Sequence, residues 1–278
     1  MNGQNPQRLY LHRILAQGAE RLGITLIEGA EENAVFGWRD RTIGAPVRRD
    51  NERMWLRATG EHRDWAATEH WSGNQDAAFL TDLPKPALLA RTEWLEGDVI
   101  NCAELMTFIS DPVCSPTPDL KRMLTLSDTW WHELRQALDT LGRQQTERGT
   151  ENASRYTSGL RIFFGTRADH LRPAWRTEHQ DLQWSNLTAP RLWVLDWESW
   201  GRSPVGYGAA SLYCHSLLVP QVARRVHRTF ADILDTPEGR FAQACVIAHL
   251  LQRATDGDYA DLILPLHQLA DRILTEEF

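Results

Sequence analysis

The sequence predicts an α+β protein with a small, sheet-rich N-terminal lobe and a larger, helical C-terminal lobe. Short apolar runs separated by polar turns dominate the first part of the 278-residue chain, whereas apolar residues at helical spacing dominate the last part. The Pro-rich stretch SPTP at 115–118 marks the change between the two patterns. A single hydrophobic core stops growing at about 250–300 residues, which also favours two lobes.

The N-terminal lobe is predicted to begin with a helix and to continue as a sheet. Leucine and isoleucine residues between 9 and 22 follow a broken helical spacing, and Gly23 is the expected stop. Three strand patterns joined by polar turns predict a meander at 34–38, 42–47 and 54–58. The polar segment 59–80 is expected to hold a short helix, and a further strand pattern follows Pro86.

The C-terminal lobe is predicted from three apolar stripes at helical spacing, which we expect to face the core. They lie at 131–141, 222–233 and 259–273. The sequence contains no internal repeat. We place the N-terminal lobe, the connection and the C-terminal lobe at 1–105, 106–118 and 119–278.

The composition is that of an ordinary globular protein, with 42% hydrophobic and 24% charged residues. No apolar run reaches the roughly 18 residues of a membrane span, and the N-terminus lacks the order of a signal peptide, so we expect a cytoplasmic protein without a membrane partner. The net charge of -7 argues against nonspecific nucleic-acid binding, which needs clustered Lys and Arg. Four scattered cysteines are expected to be free thiols: Cys102, Cys114, Cys214 and Cys245.

A group of polar residues stands in the stretch HQDLQWSN, where His179, Asp181 and Asn186 follow the pattern H-x-D-x-x-x-x-N. After a short turn at 188–190, an apolar strand pattern leads to Asp196. A loop followed by a strand that returns to it would bring these side chains to one point. Hard cations such as Mg²⁺ prefer oxygen ligands, which suits Asn186 and Asp196. A separate carboxylate, Asp181, suits deprotonation of a hydroxyl during phosphoryl transfer.

The main alternative for this group is a polar hairpin in which Asn and Asp serve as turn residues. That interpretation explains single residues well but four coordinated positions poorly. The order of a base Asp, a metal-binding Asn and a later metal-binding Asp is that of a kinase catalytic loop. A glycosidase site is disfavoured, because Asp196 and Glu198 are two residues apart on one strand and cannot flank a substrate.

The stretch from His179 to Tyr213 resembles the aminoglycoside phosphotransferase family, which shares the bilobal protein-kinase-like fold with the choline kinases. HQDLQWSNL matches the family's HGDLxxxNL, and LDWESWGRSPVGYGAASLY matches its DWExxxxGxPxxDLA. The resemblance implies a transferase that moves the γ-phosphate of ATP, with Mg²⁺, to a hydroxyl of a small molecule. An aminoglycoside-like antibiotic or another metabolite would be the acceptor. The catalytic loop would span 179–201.

The resemblance also implies a role for each matched residue. Asp181 would be the catalytic base, and His179 would support the loop from inside. Asn186 and Asp196 would bind Mg²⁺.

Adenine would contact the backbone near the start of the connection between the lobes. We place this adenine contact at 103–106. Glu104 and Met106 are therefore candidates for nucleotide binding. The kinase lysine that holds the α- and β-phosphates belongs on the third strand, where this chain has Arg57. An arginine can bind phosphate through two parallel hydrogen bonds, whereas lysine presents a single point charge, so the two residues are not equivalent. Glu69 and Asp76 are both candidate partners for Arg57.

Several positions depart from the family pattern. The chain has no G-x-G-x-x-G, and Arg39 and Arg41 stand in the turn where that loop would lie. Gly208 replaces an aspartate that braces the catalytic loop in the family. These departures keep a second function open, a catalytically impaired kinase-like binding or regulatory protein.

Three tryptophans lie in or beside the motif, at positions 184, 197 and 200. Their faces are suited to stacking on a substrate, but packing in the core is the favoured interpretation, because a protein with 12 tryptophans must bury most of them. No motif identifies the acceptor, distinguishes ATP from GTP or indicates an oligomeric state.

Overall fold

The computed structural model describes residues 5–30, 32–66 and 68–275. These residues form two compact units. The first contains the described residues up to Thr81 together with Lys85–Ser110, and the second contains Asp82–Pro84 together with the described residues from Asp111 onward. The first unit is rich in strands and the second in helices, which confirms the predicted α+β class.

The first unit is an antiparallel sheet with helices. In chain order the elements are α1 (Pro6–Arg21), β1 (Thr25–Leu26), β2 (Val35–Phe36), β3 (Thr42–Arg49), β4 (Glu52–His62), α2 (Arg63–Ala66), α3 (Glu69–Asp76), β5 (Leu88–Glu96) and β6 (Val99–Thr107). The strands follow the order β1-β3-β4-β6-β5, and β2 also pairs with β3. The predicted helix and meander are present as α1, β2, β3 and β4.

Alternation along the strands decides which side chains pack in the core of this unit. Successive residues of a strand point to opposite faces of the sheet. Arg57 of β4 and Glu104 of β6 lie opposite each other in the strand register, and their strand neighbours belong to the core that includes α1. Those core residues include Leu11, Ile14, Leu15, Leu56, Ala58, Ala103 and Leu105. Arg57 and Glu104 therefore project from the face away from α1.

The second unit consists of helices and one two-stranded hairpin. The elements are α4 (Asp128–Gly142), α5 (Ala153–Phe164), β7 (Trp175–His179), β8 (Trp200–Pro204), α6 (Tyr207–Cys214), α7 (Pro220–Leu234), α8 (Pro237–Thr255) and α9 (Ile263–Thr275). The three predicted apolar stripes correspond to α4, α7 and α9. The prediction misses α8, which has buried residues at most positions and so lacks a one-sided pattern.

The β7–β8 hairpin holds the motif. The two strands pair antiparallel from Trp175 with Pro204 to His179 with Trp200. Because His179 and Trp200 are paired, the segment 180–199 begins and ends at the same end of the hairpin. Among the helices of the described residues, none is both long and apolar enough to span a bilayer.

Candidate active site

The segment between β7 and β8 is folded back on itself by backbone hydrogen bonds. The Gln180 N–H donates to the Ser199 carbonyl over 2.9 Å, which closes its base. Further along, Leu187 and Val194 form an isolated bridge. The apolar run at 191–195, predicted as a strand, forms only this bridge, and the Thr188 hydroxyl bonds the backbone at Arg191 and Trp193. The run nevertheless returns to the loop that carries Asp181 and Asn186, as the sequence predicts.

The fold of this segment brings the backbone next to Asp196 against the backbone of Asn186. The Leu195 N–H donates to the Asn186 carbonyl over 2.8 Å, and Asp196 is the next residue. The φ of Asp196 is +59°, in the left-handed region that non-glycine residues rarely occupy. Strained backbone of this kind is concentrated at functional sites.

Asp181 and Asn186 are in direct contact. The Asn186 Nδ2 group donates to Oδ2 of Asp181 over 3.0 Å and to the Asp181 backbone carbonyl over 2.9 Å. Asn186 is buried and Asp181 is partly exposed. Within the described part of the chain, Oδ1 of Asp181 accepts no hydrogen bond. One carboxylate oxygen is therefore held in place and the other is available to a reacting group.

His179 is fully buried beneath this loop and joins its two halves. Its Nδ1 accepts the Asp181 backbone N–H over 3.3 Å, and its Nε2 donates to the Leu195 carbonyl over 3.1 Å. The ring also packs edge-on against Trp197, with centroids 5.0 Å apart. Burial lowers the pKa of His179 to about 4, although the nearby Asp196 acts to raise it. The imidazole is therefore neutral at pH 7 and carries its proton on Nε2.

Arg148 is a buried residue that no sequence pattern singled out. Its Nε donates to the Trp200 carbonyl over 2.8 Å, and its Nη2 donates to the Glu198 carbonyl over 2.7 Å. Both carbonyls belong to the segment that follows Asp196. Arg148 lies in the connection after α4. It precedes the two residues whose carbonyls it contacts by 50 and 52 positions, and a contact over that separation leaves no signal in local spacing.

The oxygen donors of the loop fit Mg²⁺ better than a transition metal. Across residues 5–30, 32–66 and 68–275, no three His, Cys, Asp or Glu side chains form a group that could hold a metal ion. Mg²⁺ does not need such a group, because it usually binds one or two carboxylates and completes its shell with water and phosphate. With Nδ2 facing Asp181, the Asn186 amide presents Oδ1 on its other side.

In the first unit, Arg57 lies in a cluster of charged and polar side chains around Glu104. Glu104 is 2% exposed, and its Oε2 accepts hydrogen bonds from Arg57 over 3.2 Å and from Asn74 of α3 over 2.8 Å. Arg91 of β5 approaches the other carboxylate oxygen at 3.6 Å. Glu104 is therefore an acidic partner of Arg57 that the sequence did not suggest beside the candidates Glu69 and Asp76, and the strand register places it there.

Known proteins are similar to this chain in three-dimensional structure, but the sequence comparisons find no match. No protein-family model matches the sequence, and no curated protein matches it. An apo thermostable mutant of aminoglycoside phosphotransferase APH(4)-Ia is similar in structure with a TM-score of 0.60 at 14% identity, covering 92% of this chain and 96% of that one. The chain has the aminoglycoside phosphotransferase fold.

Two further structures agree. APH(4)-Ia itself gives a TM-score of 0.56 at 13% identity, covering 93% of this chain and 98% of that one. A mutant in a ternary complex with AMP-PNP and hygromycin B gives 0.59 at 12% identity, covering 94% and 97%. The fold implied by the motif resemblance is confirmed by these comparisons.

Within this aminoglycoside phosphotransferase fold, Glu104 and Met106 lie in β6 and not in a connection. The residues of β6 from 99 to 106 pair with β4 on one side, and Glu104 and Met106 also pair with β5 on the other. A strand flanked on both sides uses its backbone N–H and C=O groups in the sheet. The geometry therefore does not favour adenine binding by the backbone of Glu104 or Met106, and the first unpaired backbone follows Thr107.

The turn between β2 and β3 contains Arg39 and Arg41, the two arginines that stand where the glycine-rich loop would lie. Arg41 pairs with Glu61 over 2.6 Å, and the Arg39 guanidinium lies over the Trp38 ring at 4.4 Å. Asp40, between them, pairs with Arg8 of α1 over 2.9 Å. These contacts anchor the turn within its own unit.

The three tryptophans of the motif region are buried in the second unit. Trp184 is 0%, Trp197 4% and Trp200 2% exposed. The indole N–H groups of Trp184 and Trp197 donate to Ser216 and to the Val194 carbonyl. Their burial confirms the favoured interpretation, core packing, and leaves no exposed ring face for a substrate platform.

Proposed function

We propose that this protein is an ATP- and Mg²⁺-dependent phosphotransferase that acts on a hydroxyl group of a small molecule. The observation that carries the proposal is the contact between Asp181 and Asn186, with Asp196 following the residue bonded to the Asn186 backbone. The contact lies in a loop held by the paired ends of β7 and β8. The aminoglycoside phosphotransferase fold supports the same chemistry.

Asp181 is proposed as the general base. As the acceptor oxygen bonds to the γ-phosphorus, the bond from that phosphorus to the oxygen bridging to the β-phosphate breaks. ADP leaves, and the hydroxyl proton passes to the carboxylate. Oδ1 is the oxygen that accepts the proton, because Oδ2 is occupied by Asn186. The neutral His179 keeps the Asp181 backbone oriented and does not compete as a proton acceptor, since burial lowers its pKa to about 4.

Asn186 and Asp196 are proposed to bind Mg²⁺ through Oδ1 of the amide and through the carboxylate. The bound ion would neutralise charge on the phosphates of ATP. Asn186 is suited to this task because its Nδ2 is fixed by Asp181 and its oxygen is oriented in consequence. Arg57 is proposed as a nucleotide-binding residue that contacts phosphate in place of the usual lysine. Glu104 keeps the Arg57 guanidinium in position.

The acceptor is proposed to be an aminoglycoside-like antibiotic or another hydroxyl-bearing metabolite. APH(4)-Ia mutants have been solved with AMP-PNP and hygromycin B, which makes aminoglycosides the first class to test. Amino alcohols and sugars form the rest of the panel. ADP release is measured with each compound in the presence of Mg-ATP.

The decisive variants are Asp181→Asn and Asp196→Asn, with Asp169→Asn as an exposed control. Loss of a general base lowers the rate by about 10²- to 10⁴-fold. We expect both site variants to lose activity and the control to keep it. Acceptor-dependent ADP release that survives in Asp181→Asn would remove the proposed base.

The second candidate is a catalytically impaired kinase-like protein that binds its ligand without transferring phosphate. Arg57 in place of lysine, the absence of G-x-G-x-x-G and Gly208 in place of aspartate favour it. A ligand that binds only the native state must raise its stability. Thermal unfolding with saturating Mg-ATP therefore separates the cases: no rise in Tm contradicts the enzyme, whereas a rise with acceptor-dependent ADP release supports it.

A further inference from the structure

Glu178 is a buried carboxylate that connects β7 to the start of α6. The residue is 1% exposed. Its Oε1 accepts the Gly206 N–H over 2.7 Å, and its Oε2 accepts the Gly208 N–H over 3.2 Å. The first N–H groups of a helix have no partner inside the helix, and a negative charge is stabilised at that end. Arg176 balances the charge by donating from Nε to Oε1 over 2.5 Å.

Gly208 leaves the space that this carboxylate occupies. A Cβ atom built at position 208 would lie 3.1 Å from Oε2 of Glu178 and 3.2 Å from the His179 carbonyl oxygen. Both distances are shorter than ordinary van der Waals contact, so a side chain at 208 would displace the carboxylate or the strand. The Glu178 carboxylate therefore occupies its place because position 208 has no side chain.

The contact reaches the proposed base through His179. Glu178 precedes His179 in β7, and the His179 ring bonds the Asp181 N–H and the Leu195 carbonyl. Fixing the backbone at 178 and 179 to α6 therefore fixes the direction of that ring. The ring in turn holds the loop residue that carries the carboxylate.

We propose that Glu178 is a positioning residue for phosphotransfer, whose carboxylate ties the strand before the catalytic loop to the first turn of α6. In this arrangement the carboxylate comes from Glu178 on the strand, whereas the aspartate of the family pattern would come from the helix position that Gly208 occupies. The inference rests on the proposed function and assigns to this reaction a residue outside the motif. Glu178 does not contact the reacting groups in this assignment.

The first test is Glu178→Gln, which keeps the size of the side chain but replaces one acceptor oxygen with a donor. A small misplacement of catalytic groups can cost about 10²-fold in rate. We expect kcat to fall by about 10- to 100-fold while KM for ATP changes by less than about twofold. The control is Thr236→Ala, which removes the side-chain acceptor for Gly239 N–H at the start of α8.

A merely structural role would make Glu178→Gln behave like this control. Both variants are expected to lower Tm, but Thr236→Ala should leave kcat unchanged at a temperature well below its transition. Unchanged kcat in Glu178→Gln, or an equal fall in Thr236→Ala, would overturn the assignment.

The second test moves the carboxylate from position 178 on β7 to position 208 on α6. Glu178→Ala and Gly208→Asp should each lower kcat, the first by removing the acid and the second by crowding two acids together. In the double variant, Asp at 208 can enter the vacated space beside Arg176, so the two effects should not multiply. We expect kcat of the double variant to exceed the product of the single effects by at least about fivefold. Effects that multiply would overturn the shared-space argument.

Hydrogen exchange separates this inference from the proposed function. Backbone exchange of residues 180–187, measured without nucleotide, reports loop positioning in a protein with or without activity. Faster exchange in Glu178→Gln with no ADP release by the wild type would support the positioning and contradict the phosphotransferase. Unchanged exchange in an active enzyme would support the phosphotransferase and contradict the positioning.

Discussion

Asn186 donates its side-chain N–H to the carboxylate of Asp181 across 3.0 Å, so the proposed metal ligand and the proposed base form one hydrogen-bonded pair. An ionised carboxylate can accept hydrogen bonds but cannot donate them. The amide nitrogen of Asn186 must therefore face Asp181, and its oxygen must face the other way. A change at either residue is expected to alter the chemistry of the other.

The first prediction concerns Asn186→Asp, which places two carboxylates about 3 Å apart. Like charges at this distance raise the pKa of one of them. We expect the acidic limb of the kcat profile to move to higher pH by about 1 unit or more. Measuring kcat between pH 4 and 9 tests this, with the exposed Asn33→Asp as the control. An unmoved limb would mean that the two side chains are not coupled in the working enzyme.

A second prediction concerns the metal and uses Asn186→Leu. This substitution removes the amide oxygen, so the Mg²⁺ concentration for half-maximal activity should rise by about tenfold or more. Asn186→Asp retains an oxygen ligand and should not show this rise. The measurement is a Mg²⁺ titration of ADP release at fixed ATP. Equal Mg²⁺ dependence in Asn186→Leu and the wild type would exclude Asn186 as a ligand.

The third prediction separates two tasks of Arg57. Arg57→Gln should raise KM for ATP by about tenfold, and it should also lower the free energy of unfolding by about 1–3 kcal/mol because buried Glu104 loses a charged partner. Arg57→Lys should cause a smaller rise in KM. In the double variant with Glu104→Gln, stability should recover and KM should not. Recovery of KM as well would show that Arg57 has no direct part in nucleotide binding.

Acid stability provides a fourth prediction. Burial lowers the pKa of His179 from 6.5 to about 4, so the unfolded chain binds the proton more readily than the native protein. Stability contributed by the neutral ring is complete above pH 6.5 and is lost as the pH falls from 6.5 to about 4. The loss for His179 alone is about 3 kcal/mol. Burial also lowers the pKa of His249 to about 4 and that of His215, so both add to the fall.

Urea unfolding between pH 4 and 7.5 measures this dependence. His179→Gln removes the titrating group and should make the curve shallower in that window. His267→Gln, at an exposed position, should not. Identical curves for His179→Gln and the wild type would contradict the buried, neutral state of His179.

The last prediction concerns Gly201, which lies in β8 with a φ of +143°. A Cβ at this position would lie 2.6 Å from the Arg148 carbonyl oxygen. Gly201→Ala should lower the free energy of unfolding by about 2 kcal/mol or more. Gly257→Ala is the matched control, because Gly257 also has a positive φ but no atom within 4 Å of its Cβ position. Equal losses in both variants would mean that the contact with Arg148 contributes nothing.

The sequence by itself determined the elements whose pattern is local. The spacing of apolar residues predicted α1, α4, α7 and α9, and turn residues predicted the meander. The order of His179, Asp181 and Asn186 predicted a loop, because its contacts join residues only a few positions apart. A periodic or short-range relationship survives in the sequence because the backbone geometry converts spacing into proximity.

Only the tertiary structure decided which distant residues contact one another around the proposed functional residues. Glu178 reaches the start of α6, Arg148 reaches the carbonyls near Trp200, and Glu104 reaches Arg57 through strand register. None of these contacts has a characteristic spacing, since each depends on how separate elements pack and pair. The motif alone therefore indicated the kind of chemistry, whereas the partners of the buried charged residues depend on the folded chain.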